Sequence, residues 1–440
     1  MVNKLSIIIL AYSFTISSSY LVLASLLNAE FEDRNLKSYY FGYILSCFGL
    51  FAMISSFWTP LIIKLIGRSN TLYLGVISLS TFFGCFGLVT LIESNTILVF
   101  VSMILRALQG FTRVISAIPC RSLLAILEPD EKMKYMGFLE GVLTIGDGLG
   151  PILGSVLYKL VGFIYMFMIM GLFHFIYIPF MMLAMPRNID YDGQDTVSLV
   201  RDSEVIPGES KISVFKLLSN RLIILCSIAD FLSHIAYNYF EPLLWFRVAE
   251  FTESVYIQGF MYSLLVFGMA AMTITVPYVE KLMNPIHMIS LGLFLWGLSN
   301  FLVGPSILLP NSLILIGFGL FFSGFTAMLC IVPQLPIMLD QAEKMFPQEK
   351  RKASDIWSSI VLFNHWAGML MGPIYGGYME YLVGYRISCD IVAIALTAFS
   401  VLFYIFTRNY LKAQNKTQTI LEKATTNRSL WNSDRKKSEQ

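Results

Sequence analysis

Ionisable and polar side chains recur at helical spacing within otherwise apolar stretches of this sequence. Asp230, His234, Asn238 and Glu241 are separated by four, four and three residues, which places them on one face of a helix. A carboxylate beside a histidine can take up and release protons near neutral pH. The stripe therefore predicts a proton-relay and substrate site, with a polar seam between two packed helices as the alternative interpretation.

Two more charged pairs, Arg106 with Arg113 and Glu140 with Asp147, have members seven residues apart and thus on one helical face. If the two segments run antiparallel, with a rise of about 1.5 Å per residue, Arg106 reaches the depth of Asp147 and Arg113 that of Glu140. We expect two charge rungs, in which the acids bind substrate or protons and the arginines are their charge partners. Structural ion pairs are the alternative.

The elements that carry these residues are membrane helices. The chain has 440 residues, of which 56% are hydrophobic and 14% charged, and its mean hydropathy is +0.67. Runs of roughly 20 apolar residues cross a bilayer only as helices when they lack strand-like alternation. Twelve such runs occur, at residues 4–27, 39–63, 71–92, 96–125, 134–160, 163–185, 216–246, 256–279, 286–306, 311–339, 354–382 and 386–408.

The spacing of the runs predicts an all-α membrane protein with twelve transmembrane helices in two pseudo-symmetric six-helix bundles. Residues 1–185 and 215–410 form the bundles, residues 186–214 a polar cytosolic loop between them, and residues 411–440 a disordered cytosolic tail. The positive-inside rule places both termini in the cytosol. Its basis is the Lys and Arg content of one set of short connections, namely Lys64, Arg68, Lys132, Lys134, Lys281, Lys344, Lys350, Arg351 and Lys352.

One sequence frame occurs once in each half, in the fifth predicted helix of each bundle. "GDGLGPILGS" and "GMLMGPIYGG" share glycine, three residues, Gly-Pro, two residues and glycine. Glycines four residues apart let helices approach closely, and a proline bends a helix, so the frames predict packing and hinge positions. The residues concerned are Gly146, Gly150, Pro151 and Gly154 in the first half, and Gly368, Gly372, Pro373, Gly376 and Gly377 in the second.

These frames resemble the helix-five antiporter motif of the major facilitator superfamily, and Arg106, Gln109 and Gly110 in "RALQG" resemble its helix-four motif. Within that superfamily, "GPILGSVLY" and "IAYNYFEPLL" resemble the vesicular amine transporter family, solute carrier family 18, and the polyamine-transporting branch is nearest. The resemblance implies exchange of a cytosolic organic amine for a luminal proton. It implies that Glu140 in "MGFLEG" takes part in substrate binding or proton coupling and that Glu30 in "LLNAEF" lines the cavity.

The sequence departs from the family pattern at several positions. Ser13, Ile331 and Leu362 stand where the monoamine and acetylcholine branches carry membrane aspartates, which argues against classical monoamine loading. The superfamily's loop motif between helices two and three is reduced to Gly67 and Arg68.

Four membrane acids against two membrane arginines favour a cationic substrate. We therefore expect proton-coupled antiport of an organic cation, a polyamine or related amine, by alternating access about a midplane site. His365 lies one turn before the second Gly-Pro frame and is expected to line the cavity. The alternatives are a drug or metabolite exporter or a uniporter of the same fold and, from another class, a non-transporting receptor or assembly subunit.

Other classes of protein find no support in the sequence. No nucleophile triad, phosphate loop or metal cluster is apparent, so we expect neither an enzyme nor a catalytic residue, metal or cofactor. The six cysteines fall inside apolar runs and are interpreted as packing residues. We expect a monomer in the lipid bilayer that binds solute and protons but no nucleic acid. A vesicle or vacuole membrane is favoured, with the plasma membrane as the alternative.

Overall fold

A computed structural model describes residues 4–31, 34, 36–128, 131–186, 219–346 and 350–408. These residues are almost entirely helical, and they contain no β-strand. The predicted inter-bundle loop falls almost wholly, and the predicted tail wholly, outside the described residues, so the predicted domain boundaries remain predictions.

Six helices form the N-terminal bundle. Four of them are α1 (Lys4–Phe31), α2 (Ser38–Ile66), α3 (Arg68–Phe86) and α4 (Asn95–Leu127). The helical stretch Lys132–Ala184 is interrupted at Gly162, whose φ of 78° lies in the left-handed region that favours glycine. This residue divides the stretch into α5 (132–161) and α6 (163–184).

The C-terminal bundle repeats this arrangement with α7 (Arg221–Asn238), α8 (Val255–Val279), α9 (Pro285–Val303), α10 (Leu313–Met345), α11 (Lys350–Val383) and α12 (Tyr385–Arg408). A six-residue helix, Leu244–Ala249, lies between α7 and α8. Gly384, with φ 81°, separates α11 from α12 as Gly162 separates α5 from α6. The predicted fold of twelve helices in two related bundles is confirmed.

Among the described residues, nine segments are long and apolar enough to cross a membrane. One of these segments, Lys134–Ala184, contains both α5 and α6. The two long helices outside the set are α7 and α11, which carry His234 and His365. Ionisable side chains lower the hydropathy of a helix, and within a bilayer such side chains normally face the bundle interior.

The two Gly-Pro frames occupy equivalent packing positions. In α5, a Cβ atom on Gly146 would lie 2.6 Å from the carbonyl oxygen of Phe14 in α1. In α11, a Cβ atom on Gly372 would lie 2.8 Å from the Cβ of Asn238 beside it in α7. Each frame therefore lets the fifth helix of its bundle lie directly against the first helix of the same bundle, as expected for small residues four apart.

The same frames also join the two bundles. A Cβ on Gly42 of α2 would overlap the carbonyl oxygen of Pro373, and one on Gly259 of α8 would lie 2.6 Å from the carbonyl oxygen of Pro151. Ser38 Oγ donates a hydrogen bond of 3.1 Å to the carbonyl of Gly377. These contacts define the closed end of the molecule, where α1 ends and α2 begins.

A continuous cluster of buried apolar side chains includes residues of both bundles at the closed end, among them Phe31, Phe41, Trp245 and Tyr262, and it extends through the C-terminal bundle as far as Leu222. At the opposite end, the side chain of Glu140 in α5 is 64% exposed. Gly137 and Gly141 beside it have no described atom within 4 Å of an added Cβ. We call this the open end, where α1 begins and α12 ends.

Replacing Gly42 by alanine tests whether the backbone contact holds the end closed. The added methyl meets the Pro373 carbonyl, and overpacking of this kind costs about 1–3 kcal/mol. We expect cross-linking of cysteines introduced at Lys37 and Tyr381, whose side chains are hydrogen-bonded at 3.3 Å, to fall severalfold in Gly42→Ala. The yield of this cross-link is measured with a short bifunctional maleimide on the protein in detergent.

The matched control is Gly137→Ala at the open end, where a Cβ meets no described neighbour. Its cross-linking should equal that of the parent protein. Equal yields in both alanine variants would show that the closed end does not depend on this glycine.

Candidate functional site

The centre of the molecule contains a break in its seventh helix. α7 ends at Asn238, although the sequence predicts a helix to residue 246, so that part of the prediction is wrong. The cause is Pro242, which has no backbone N–H and clashes with the preceding helical turn. Residues 239–243 form a turn before the short helix Leu244–Ala249, and the turn carries Glu241 out of the helical stripe.

Side chains of both bundles hold this turn. Asn28 of α1 donates from Nδ2 to the carbonyl of Pro242 at 2.8 Å. The hydroxyl of Tyr262 in α8 lies 2.7 Å from the carbonyl oxygen of Glu241 and 3.2 Å from that of Ala24 in α1. The turn is therefore a point at which the N-terminal bundle is bonded to the C-terminal bundle.

Glu241 directs its carboxylate toward the N-terminal bundle. Its residue is 1% exposed, and its two oxygens lie 3.4 and 3.3 Å from the hydroxyl of Tyr20, which donates to them. The guanidinium of Arg106 stacks on Tyr20, with its central carbon 5.0 Å from the ring centroid. Arg106 also interacts electrostatically with Glu241. Tyr20 therefore contacts both groups, the carboxylate through its hydroxyl and the guanidinium through its ring face.

Asp147 supplies a second carboxylate from the opposite bundle. Ser17 Oγ donates to its Oδ1 at 2.5 Å, and Arg113 interacts with it electrostatically. Tyr237 of α7 interacts with both Asp147 and Glu241, and the two carboxylates interact with each other. The centre therefore brings together two acids, one from each bundle, around tyrosine rings.

The rest of the polar stripe lies in the seam between α7 and α11. Asp230 Oδ1 is 3.5 Å from His234 Nε2, and Asn364 of α11 donates to Asp230 Oδ2 at 3.0 Å. The ring of His365 lies edge-on to His234, with centroids 4.7 Å apart. Asn238 donates to the carbonyl of His234 at 2.6 Å. This geometry is the polar seam of the alternative interpretation, and a relay role for the seam remains a prediction.

The predicted charge rungs are wrong in register. Glu140 forms its ion pair with Arg121 at 2.8 Å, not with Arg113. Arg113 instead faces Asp147, and Arg106 faces Glu241. The short connection between α4 and α5 explains the difference, because antiparallel helices pair residues that lie at similar distances from their turn. Arg121 was missed for the same reason, although the length of the connection was a usable signal.

The remaining candidates lie around this centre. Gln109 accepts a hydrogen bond of 3.2 Å from Arg106, and Gly110 lies against the backbone of Phe48, where a Cβ would overlap the carbonyl. Glu30 is near the closed end, where it accepts a hydrogen bond of 3.0 Å from Tyr158. Among the described residues, no group of three or more His, Cys, Asp or Glu side chains could hold a metal ion.

The bond from Asn364 to Asp230 makes a stability test. Replacement of Asn364 by leucine leaves a buried carboxylate without this donor, which costs about 1–3 kcal/mol. We expect Asn364→Leu to lower the free energy of unfolding in detergent, measured by chemical denaturation. The double variant Asp230→Asn/Asn364→Leu should recover part of the loss, and strictly additive losses would argue against an energetic link between the two side chains.

Comparisons with known proteins agree with this architecture. A sequence profile for the Major Facilitator Superfamily matches residues 5–362. The mouse protein named MFS-type transporter SLC18B1 is 24% identical over 423 residues, covering 92% of this chain and 88% of the mouse protein. The human protein of the same name is 23% identical over 376 residues, covering 83% of this chain and 78% of its own length.

Solved structures share the fold at much lower identity. The crystal structure of nucleoside transporter NupG aligns with a TM-score of 0.69 at 12% identity, covering 91% of this chain and 98% of NupG. A bacterial homolog to the human lysosomal transporter Spinster, in an inward-facing and unoccupied conformation, aligns with a TM-score of 0.69 at 13% identity, covering 93% of this chain and 97% of its own. Since the profile spans most of the sequence, the chain belongs to the Major Facilitator Superfamily and is a multi-pass membrane transporter of small solutes, not an enzyme.

Proposed function

We propose that this transporter exchanges an organic cation, a polyamine or related amine, for protons. The observation that carries the proposal is a buried carboxylate from each bundle, Asp147 from α5 and Glu241 from the turn after α7, both of which interact electrostatically with Tyr237 of α7. A buried acid in a membrane protein costs free energy and commonly marks a functional position, so these two acids are the best candidates for a cation site.

The presence of two acids favours a substrate with more than one amine. A single ammonium group satisfies one carboxylate, whereas a diamine or polyamine presents a positive charge to each. The aromatic rings of Tyr20 and Tyr237 beside the acids suit an organic cation, since ring faces attract ammonium groups. The family resemblance of the sequence to the polyamine-transporting branch supports the same substrate class.

The same acids can couple transport to protons. A proton and an ammonium group each neutralise a buried carboxylate, so the site can hold a proton when no amine is bound. A bound polyamine supplies positive charge in its place, and the proton leaves toward the side from which the amine enters. Release on the other side then requires reprotonation, which is the exchange an antiporter performs.

The two ends of the molecule supply the access that this cycle needs. Substrate enters at the open end, where Glu140 and Arg121 are exposed at 64% and 50% and where Glu140 is an acid that an entering cation can meet. Release requires the closed end to open, by separation of the contacts of Gly42 with Pro373 and of Gly259 with Pro151. We place the open end in the cytosol and the protein, as a monomer, in a vesicle or vacuole membrane.

One observation favours a second candidate, a uniporter or exporter of the same fold whose acids are structural. Asp147 and Asp230 each accept a hydrogen bond from a neighbouring helix, from Ser17 and Asn364. Acids satisfied in this way can stabilise the bundles without binding protons. Transport by such a protein is insensitive to a proton gradient.

Uptake of labelled spermidine into proteoliposomes with an imposed pH gradient tests the proposal. We expect gradient-driven uptake by the natural protein, and at least about a tenfold loss in Glu241→Gln and in Asp147→Asn, since removal of one buried charge partner costs about 3–5 kcal/mol. A monoamine measured in parallel should be taken up less well than spermidine, because it engages one acid only.

The control variant is Glu253→Gln, which removes an exposed acid in the connection before α8. It should transport as the natural protein does. Spermidine uptake that ignores the gradient would favour the uniporter, and uptake unchanged in both Glu241→Gln and Asp147→Asn would rule out the assigned site. If the natural protein takes up neither amine, the substrate belongs to another class.

A further inference from the structure

A small cavity inside the N-terminal bundle lies beside the central acids but does not include them. Its volume is about 10 Å³, and residues of α1, α2, α3, α4 and α6 line it. Its polar lining residues are Ser19, Tyr20, Arg106, Gln109, Arg113 and His174. Two arginines therefore line one space, and no acidic residue of the described part of the chain lines it.

The guanidinium of Arg106 is incompletely satisfied. Arg106 is 1% exposed and donates from Nη1 to Gln109 Oε1 at 3.2 Å. Its Nε and Nη2 have no acceptor among the described residues, and neither has Nη1 of Arg113. No ion pair within 4.0 Å joins either arginine to a described acid. Buried charged donors without acceptors are costly, so these three nitrogens call for a partner.

We propose that this cavity is a binding site for a single small anion of the halide class, with chloride as the physiological occupant. The three free N–H donors of Arg106 and Arg113 are its ligands. A monatomic anion accepts hydrogen bonds from any direction, so it can satisfy guanidinium groups that approach from two positions on α4. The small volume, about 10 Å³, suits a monatomic ion better than a carboxylate or phosphate group.

Charge distinguishes a halide from a water molecule at this position. A water molecule accepts two hydrogen bonds and leaves one of the three N–H groups without an acceptor, whereas a halide can accept all three and also carries a negative charge. Phe48 and Tyr20 lie against the Arg106 guanidinium, at 4.5 and 5.0 Å from their ring centroids, and keep it away from bulk water. An anion in the cavity thus compensates a charge that solvent cannot reach.

Occupancy of the cavity has a consequence for the central site, and this step rests on the proposed function. Arg106 interacts electrostatically with Glu241, and Arg113 with Asp147. A halide bound to both arginines weakens their attraction for the two carboxylates and leaves the acids freer to hold a cation. Chloride is therefore expected to strengthen amine binding without taking part in it.

Direct binding of ³⁶Cl⁻ to the purified protein in detergent, measured by scintillation proximity with gluconate as the balancing anion, tests the site. We expect saturable binding near one equivalent in the natural protein and at least a tenfold weaker affinity in Arg106→Gln and Arg113→Gln. The matched control is Arg121→Gln, which removes an exposed arginine of the same helix and should bind chloride as the natural protein does.

A second variant keeps the test decisive if the glutamine variants fail to fold. Gln109→Glu places a carboxylate beside Arg106 and should expel chloride while the thermal unfolding midpoint is kept or raised. Absence of saturable binding in the natural protein, or equal binding in the natural protein and Gln109→Glu, would overturn the proposal. The cavity would then hold water.

Spermidine uptake in chloride and in gluconate separates this inference from the proposed function. Loss of ³⁶Cl⁻ binding together with retained, chloride-independent uptake would count against the anion site alone. Retained ³⁶Cl⁻ binding with no amine uptake would count against the proposed substrate and leave the anion site standing.

Discussion

Close backbone contact between the two bundles is the constraint on which the rest of this structure depends. At both crossings a glycine of one bundle lies against the carbonyl of a proline in the other, Gly42 against Pro373 and Gly259 against Pro151. Side chains of ordinary size would hold the bundles apart at these positions. The approach they permit brings Tyr20 to Glu241 and Asn28 to Pro242, so the central site exists only while these crossings are made.

The charged groups are distributed so that no acid at the centre depends on a partner from its own helix alone. Asp147 is held by Ser17 of α1, Asp230 by Asn364 of α11 and Glu241 by Tyr20 of α1. Hydroxyl and amide donors stabilise a buried carboxylate less strongly than a bidentate guanidinium does. Such partners can be exchanged for a bound cation at a moderate cost in free energy, whereas a tight ion pair would compete with the substrate.

Patterns of apolar length and small residues predicted most of the fold. Twelve helices, two related bundles and the packing role of the Gly-Pro frames were all readable, because each depends on local sequence. The depth of a residue along its helix is harder to predict. The acids of α5 face partners on α4 seven or eight residues further along the chain than predicted, because helical spacing gives the face of a residue but not its height, which the turn between α4 and α5 determines.

The partners of the central turn are not predictable from the sequence, because they come from distant segments. Tyr20, which donates to Glu241, is 221 residues from it in the sequence, and Asn28, which donates to the carbonyl of Pro242, is 214 residues away. No periodicity within one helix indicates such a partner. Pro242 indicates the end of α7 at Asn238, whereas the helical spacing of the polar stripe favours a longer helix.

Tyr262 has a consequence for the speed of the conformational change. Its hydroxyl carries one hydrogen and lies within reach of two carbonyls, that of Ala24 in the N-terminal bundle and that of Glu241 in its own. As α1 moves away, the hydrogen can remain on the nearer oxygen of Glu241, so no buried donor is left unpaired on the way. This side chain lets the bundles part along a path with a lower activation barrier, while the Asn28 bond to Pro242 has to be broken outright.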